Sequence, residues 1–186
     1  MLKEIAAAFS ESAAEMKKVV TFTTCAMLGA LSMILGIYSI QIGEFIKIDF
    51  ANVPIQMGAC MFGPVAGPIF GAVMDIINYF VKPTGPFFAG FTISAVVMTI
   101  IIGIALYKKE ITLNRILTAT FISTIIVDMG LNTIWLSIMY DRAIYLMLPM
   151  RILKCMILWP MQAGMMFVLL KALKRVKTAV FTRGNQ

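Results

Sequence analysis

Residues 19–38 read VVTFTTCAMLGALSMILGIY, a run of twenty residues without a charged side chain. A helix rises about 1.5 Å per residue, so this run is long enough to cross the roughly 30 Å hydrocarbon layer of a membrane. No small-residue cleavage site follows it, so we expect a retained transmembrane helix and not a signal peptide.

The composition of the whole chain also indicates a membrane protein. Of its 186 residues, 60% are hydrophobic and 13% are charged, whereas a soluble domain is about 45–50% apolar and about 25% charged. Lipid is therefore expected to solvate much of the surface. The net charge of +7 does not indicate nucleic-acid binding, because the basic residues stand at the ends of apolar runs and form no stripe with interleaved aromatic residues.

Five further apolar runs follow the first one. The predicted spans are residues 19–38, 51–62, 69–81, 87–107, 113–140 and 148–173. The second and third are too short to cross as lipid-exposed rods, so we expect them inside the bundle, beside a cavity. Between them, residues 62–68 (FGPVAGP) predict a turn, because glycine permits positive φ and proline ends helices.

The predicted fold is an all-α integral membrane protein, a bundle of six transmembrane helices in one membrane domain that covers residues 1–186. Residues 19–172 form the bundle, and residues 173–186 form a basic cytoplasmic tail. Residues 1–18 have a modest apolar stripe, which is compatible with a helix on the membrane surface or with a solvated tail.

The basic residues orient this bundle, because cytoplasmic segments carry an excess of Lys and Arg. If the N-terminus lies inside, eleven of the sixteen basic residues fall on the cytoplasmic side. These eleven are Lys3, Lys17, Lys18, Lys108, Lys109, Arg115, Lys171, Lys174, Arg175, Lys177 and Arg183. The excess predicts that both termini are cytoplasmic.

Several kinds of chemistry are absent from the sequence. The chain has no histidine, which removes histidine-based metal sites and Ser-His or Cys-His catalysis. Its three cysteines form no CxxC pair and lie in apolar runs, as small core residues do. It also has no phosphate-binding loop. We expect neither an enzyme nor a metal or cofactor.

We single out four ionisable residues within the predicted spans as candidates for function, namely Asp75, Asp128, Arg151 and Lys154. Each costs roughly 2.5–3.5 kcal/mol on insertion scales and needs a reason. Helical spacing places them on three faces with other polar or aromatic residues. The faces are Asp75, Asn78 and Tyr79; Asp128, Asn132 and Trp135; and Arg151 and Lys154. These faces can converge in the outer half of the bundle.

Such a cavity suits a ligand with an anionic tail and an aromatic head, as several vitamins have. Arg151 and Lys154 suit a carboxylate or phosphate. Trp135 offers a stacking surface, and Asp75 or Asn132 can pair with N–H donors of a heterocycle. The same residues also permit purely structural roles: the interior aspartates can pair with the cations as internal ion pairs, Lys154 can reach the interface, and Trp135 can be an ordinary interfacial aromatic residue.

Three stretches resemble the substrate-binding component of energy-coupling factor (ECF) vitamin transporters, specifically the folate type. The first is IDFANVPI (48–55) leading into FGPVAG (62–67). The second is GAVMD (71–75) with GPFFAGFT (85–92), and the third is LNTIWL (131–136) with LPMRILK (148–154). The likeness covers most of residues 19–172.

The resemblance implies an external vitamin site covered by the loop after the first span, in a bacterial plasma membrane. It implies partnership with a membrane coupling subunit and two cytoplasmic ATPases. The family's Ala-x-x-x-Ala docking strip matches Ala26 and Ala30, and Lys47 is the nearest match to the basic residue that many members have in the loop. The expected function is capture of folate for ATP-driven import. A component for pantothenate, thiamine or riboflavin, or a self-sufficient carrier, is the alternative.

Overall fold

A computed structural model describes the backbone of residues 2–42, 46–83, 85–140 and 144–183. Within these it describes the side chains of residues 8–39, 49–83, 85–140, 148–149 and 151–173. Five helical stretches of the described chain are long and apolar enough to cross a membrane: Val19–Ile37, Asn52–Val81, Ala89–Leu106, Leu113–Tyr140 and Arg151–Leu173. The predicted helical membrane class is confirmed.

The elements follow one another in a simple order along the chain. They are α1 (Leu2–Glu15), α2 (Val19–Ile37), β1 (Ile40–Ile42), β2 (Ile46–Ile48), α3 (Asn52–Val81), α4 (Ala89–Leu106), α5 (Leu113–Ser123), a π-helical segment (Thr124–Leu131), α6 (Asn132–Tyr140) and α7 (Ile144–Arg183). The strands pair antiparallel, with Gln41 opposite Lys47. A short antiparallel strand pair thus lies in the loop after α2, and the sequence predicts residues 39–50 as an amphiphilic, partly extended external loop.

Helix α3 folds back on itself at Gly63. This residue alone within α3 leaves helical geometry, at φ 86° and ψ −169°, a region that favours glycine. Residues 52–62 and 64–81 consequently run side by side: a Cβ on Gly67 would lie 2.8 Å from the Cα of Ala59. Residues eight apart in a straight helix would be about 12 Å apart. The break falls within the predicted turn at 62–68, and helix resumes at once at Pro64.

Helix α1 is docked against this break. The Ser12 side chain is fully buried, and its Oγ donates to the carbonyl oxygen of Phe62 at 2.5 Å. The same oxygen accepts from the amides of Val65 (3.0 Å) and Ala66 (3.2 Å). Serine is a favoured helix N-cap because its oxygen satisfies free amides of the first turn. Here the capping oxygen comes from a different helix, so α1 packs against the bundle and is no frayed tail.

The fifth predicted span is a helix of two geometries. α5 and α6 are ordinary α-helix, whereas Thr124–Leu131 between them is π-helical. The periodicity of the sequence gives no sign of this segment. The last helix, α7, begins before its predicted start at residue 148 and continues beyond residue 173.

The core lies where α3 meets α2, α4 and α7. Its fully buried members include Val53, Ala59, Ile102 and Met166. Many apolar side chains on the outside of α2 remain exposed, among them Val19, Phe22 and Met27. A helix with this distribution suits contact with lipid or with another membrane protein.

Candidate functional site

A cavity of about 290 Å³ opens between α3, α4, the π-helical segment, α6 and α7. It lies at the end of the bundle that carries the loops around residues 49 and 85, opposite the end where α1 docks. Its charged lining residues are Asp49, Asp75, Lys82, Asp128, Arg151 and Lys154. All four ionisable residues singled out within the spans therefore reach one cavity.

Arg151 is the most deeply buried of these charges, with 3% of its surface exposed. One guanidinium nitrogen donates to the backbone carbonyl of Asn132 at 3.1 Å, while Nε has no hydrogen-bond partner. Lys154 is one helical turn further along α7 and half-buried. The two cations therefore share one cavity wall, as their spacing predicts.

Asp128 and Asn132 stand beside these cations. The Asn132 side-chain amide donates to Asp128 Oδ1 at 3.3 Å, and its own Oδ1 has no partner. The positive charges of Arg151 and Lys154 both act on Asp128. Asp128 therefore offsets part of the positive charge on this side of the cavity, and Arg151 and Lys154 are the groups there that can meet an anionic ligand.

The second predicted face, on α3, lies on the same cavity. Thr92 donates to Asp75 Oδ2 at 2.8 Å. Asn78 donates to Ser32 Oγ at 3.0 Å, which leaves its own Oδ1 without a partner. The Tyr79 hydroxyl donates to the carbonyl of Gly85 at 3.1 Å. This wall thus carries a carboxylate, an amide and an aromatic ring.

Trp135, which the sequence predicts as a stacking surface for the ligand, lies behind the cavity wall. It is not among the lining residues. Its Nε1 donates to Ser94 Oγ at 3.1 Å, and its ring packs at 5.7 Å from that of Phe88. Ser94 and Phe88 do line the cavity, so Trp135 supports that wall from behind. Direct stacking on a ligand stays a prediction.

Two of the remaining predicted residues, Ala26 and Ala30, lie away from the described cavity wall. The side chain of Lys47 is outside the described residues. Ala26 and Ala30 are exposed on the outer face of α2, where a neighbouring helix can approach closely. Their docking role stays a prediction.

Several further residues line the cavity that the sequence did not single out. Gln56 is buried, with its amide at 3.5 Å from the sulfur of Met98 and its Oε1 without a partner. Trp159 donates from Nε1 to Thr120 Oγ1 at 3.1 Å and also lines the cavity. A glutamine within an apolar span is a signal that could have identified Gln56, whereas Trp159 looks like any lipid-facing aromatic residue in sequence.

The unpartnered buried atoms gather at this cavity. Of the five among the described side chains, four belong to lining residues: Gln56 Oε1, Asn78 Oδ1, Asn132 Oδ1 and Arg151 Nε. Buried polar atoms nearly always have partners, so a cluster without them requires a physical reason. Water or a polar ligand in the cavity provides one.

Known proteins similar to this chain agree with a ligand-binding cavity within a helical membrane bundle. The family described as "ECF transporter, substrate-specific component" matches residues 20–172. The chain belongs to this family. As an ECF substrate-specific component it is a transport protein with several membrane-crossing helices and not an enzyme. The predictions of a membrane protein and of a chain that is not an enzyme are thereby confirmed. The resemblance found in its motifs is confirmed as well.

Individual relatives of this ECF component include two folate transporters named FolT. That of Clostridium novyi (strain NT) is 34% identical over 163 residues, which cover 87% of this chain and 94% of the relative. That of Leuconostoc mesenteroides is 31% identical and covers 80% and 83%. The riboflavin transporter RibU of Staphylococcus aureus is 31% identical but covers 55% and 56%. The solved structure of FolT bound with folic acid superposes with a TM-score of 0.74 at 28% identity, covering 82% of this chain and 93% of that one.

Proposed function

We propose that this ECF component captures folate from outside the cell and hands it over for ATP-driven import. The observation that carries the proposal is the buried Arg151 on one wall of a cavity whose other walls hold amide, carboxylate and aromatic groups. Folate has the matching chemistry, with carboxylates at one end and a heterocycle with N–H donors and acceptors at the other.

The charge of the site favours folate over riboflavin. Riboflavin is uncharged, so the guanidinium of Arg151 and the ammonium of Lys154 would share the carboxylate of Asp128, whereas a folate carboxylate would supply a further anionic partner. Buried charge without a partner is costly. The longer coverage of the two FolT relatives supports the same choice.

The proposal includes six membrane passes, with both termini in the cytoplasm of a bacterial cell. The hairpin at Gly63 supplies the sixth pass, because it divides Asn52–Val81 into two segments. The excess of basic residues at the end where α1 docks favours a cytoplasmic position for that end, which leaves the cavity open to the outside.

The partners in this proposal are a membrane coupling subunit and two cytoplasmic ATPases. The exposed pair Ala26 and Ala30 on α2 is the proposed docking strip for the coupling subunit. Proteoliposomes test this part: uptake of labelled folate should require the complete complex and ATP. Uptake by this chain alone would identify a self-sufficient carrier instead.

Calorimetric titration of the purified protein in nanodiscs tests the ligand. We expect folic acid to bind with a Kd below about 1 μM and riboflavin to bind at least 100-fold more weakly. Arg151→Met should weaken folate binding by about 2–5 kcal/mol, or about 30-fold or more, since the ligand carboxylate loses its buried partner. Lys171→Met, on an exposed part of the same helix, is the control. Absence of folate binding by the unmodified protein would overturn the proposal.

A further inference from the structure

A straight stripe of residues from the fifth span lines the cavity. Five members recur at intervals of four, namely Thr124, Asp128, Asn132, Leu136 and Tyr140, and the other two, Val127 and Met139, each precede one of these by a single residue. Asp128 and Asn132 provide polar groups beside Arg151, and their joint presence on the cavity wall depends on this spacing.

An ordinary α-helix would not keep such a stripe on one side. It turns about 100° per residue, so each step of four overshoots a full turn by about 40°. Over the four steps from Thr124 to Tyr140 the overshoot would reach about 160°. One end of the stripe would then face away from the cavity.

The π-helical segment removes this drift. Its hydrogen bonds join residues five apart, and its wider turn takes more than four residues, so a step of four falls short of a full turn. The segment spans Thr124–Leu131, so it contains the first step of the stripe and all of the second except its last residue, Asn132. Their shortfall offsets the overshoot of the last two steps in α6.

Thr133 stabilises the five-residue hydrogen-bond spacing of the π-helical segment at its junction with α6. The amide of Asn132 donates to the carbonyl of Val127, five residues back, and also to that of Gly130. The hydroxyl of Thr133, 1% exposed, donates to the carbonyl of Asp128 at 3.2 Å, also five residues back. The side chain therefore adds a hydrogen bond that spans the same five-residue interval.

We propose that the π-helical segment aligns the ligand-facing stripe of the fifth span and that Thr133 is a positioning residue that maintains the alignment. The consequence for binding rests on the proposed function, because it assumes that Asp128 and Asn132 meet folate. The alignment itself is a property of the chain without ligand.

Cysteine labelling tests the alignment without any ligand. Single reporters, Thr124→Cys and Leu136→Cys, are placed on either side of the segment in a protein whose three native cysteines are alanine. Deletion of Gly130 shortens the segment by one residue and should reduce labelling of at least one reporter by a water-soluble maleimide about tenfold. Gly130→Ala keeps the number of residues in the segment and should leave the labelling of both reporters unchanged, since the added Cβ meets only the Ile125 carbonyl at 3.5 Å. Unchanged labelling of both reporters after deletion would overturn the alignment.

A milder pair of variants decides the question if the deletion prevents folding. Thr133→Val keeps the shape and removes the hydroxyl, and it should weaken folate binding about tenfold and slow labelling of one reporter about threefold. Thr133→Ser should restore both. In the Asn132→Ala background, Thr133→Val should weaken binding much less. Equal behaviour of Val and Ser in labelling would refute the role of Thr133, whereas absent folate binding by the parent protein would refute the proposed function and leave the labelling result intact.

Discussion

Replacing Ser12 by alanine removes the hydroxyl that joins α1 to the hairpin of α3. The residue is fully buried, and its Oγ contacts the Phe62 carbonyl and the amides of Val65 and Ala66. Loss of an N-cap costs about 0.5–2 kcal/mol. Hydrogen bonds within membrane proteins average about 0.6 kcal/mol each, so three contacts give a similar total. We expect a loss of about 1–2 kcal/mol in the free energy of unfolding.

Reversible unfolding by SDS in mixed micelles measures this quantity. The matched control is Ser10→Ala, which lies on the same helix with its side chain exposed and should change the free energy by less than about 0.5 kcal/mol. Limited proteolysis after α1 should also become faster in Ser12→Ala, because the helix separates more often from the bundle. If the two alanine variants unfold alike, Ser12 does not cap the α3 hairpin.

Further predictions concern packing and access to the cavity. Gly67→Ala should destabilise the protein by about 1–3 kcal/mol in the same SDS assay, because its Cβ would lie 2.8 Å from the Cα of Ala59. The control Gly164→Ala, whose added Cβ has nothing within 4 Å, should be neutral or stabilising. If Gly164→Ala were the more destabilising of the two, the fold-back of α3 at Gly63 would be contradicted. Cys155 lines the cavity, so saturating folate should slow its maleimide labelling at least tenfold when it is the only cysteine; unaffected labelling would place the ligand elsewhere.

Much of the fold follows from simple features of the sequence. Apolar runs of sufficient length identify spans, and the Gly63-Pro64 pair marks the fold-back because few residues other than glycine adopt its positive φ. The docking of α1 is less visible. Ser12 stands in a segment with the composition of a solvated helix, and only the position of the α3 break gives its hydroxyl three partners.

The sequence predicts the positions of the charged residues of the site but not the helix geometry or the packing around them. Arg151 and Asp128 are expensive in a membrane, so their inward position follows from energetics. The π-helical segment TIIVDMGL contains one such charge, Asp128, but nothing in its sequence indicates that the helix widens there. Trp135 is compatible in sequence with the cavity or with the layer behind it, and the choice depends on its contacts with Ser94 and Phe88.

The most direct test of the proposed folate site compares folic acid with its dimethyl ester, which keeps the rings and removes both negative charges. Titrations of the parent protein and of Arg151→Met give four dissociation constants. We expect the parent to prefer the acid by at least about 30-fold and Arg151→Met to show little preference, because the guanidinium is the proposed partner of a ligand carboxylate. An equal preference in both proteins would contradict the assignment of Arg151 as that partner.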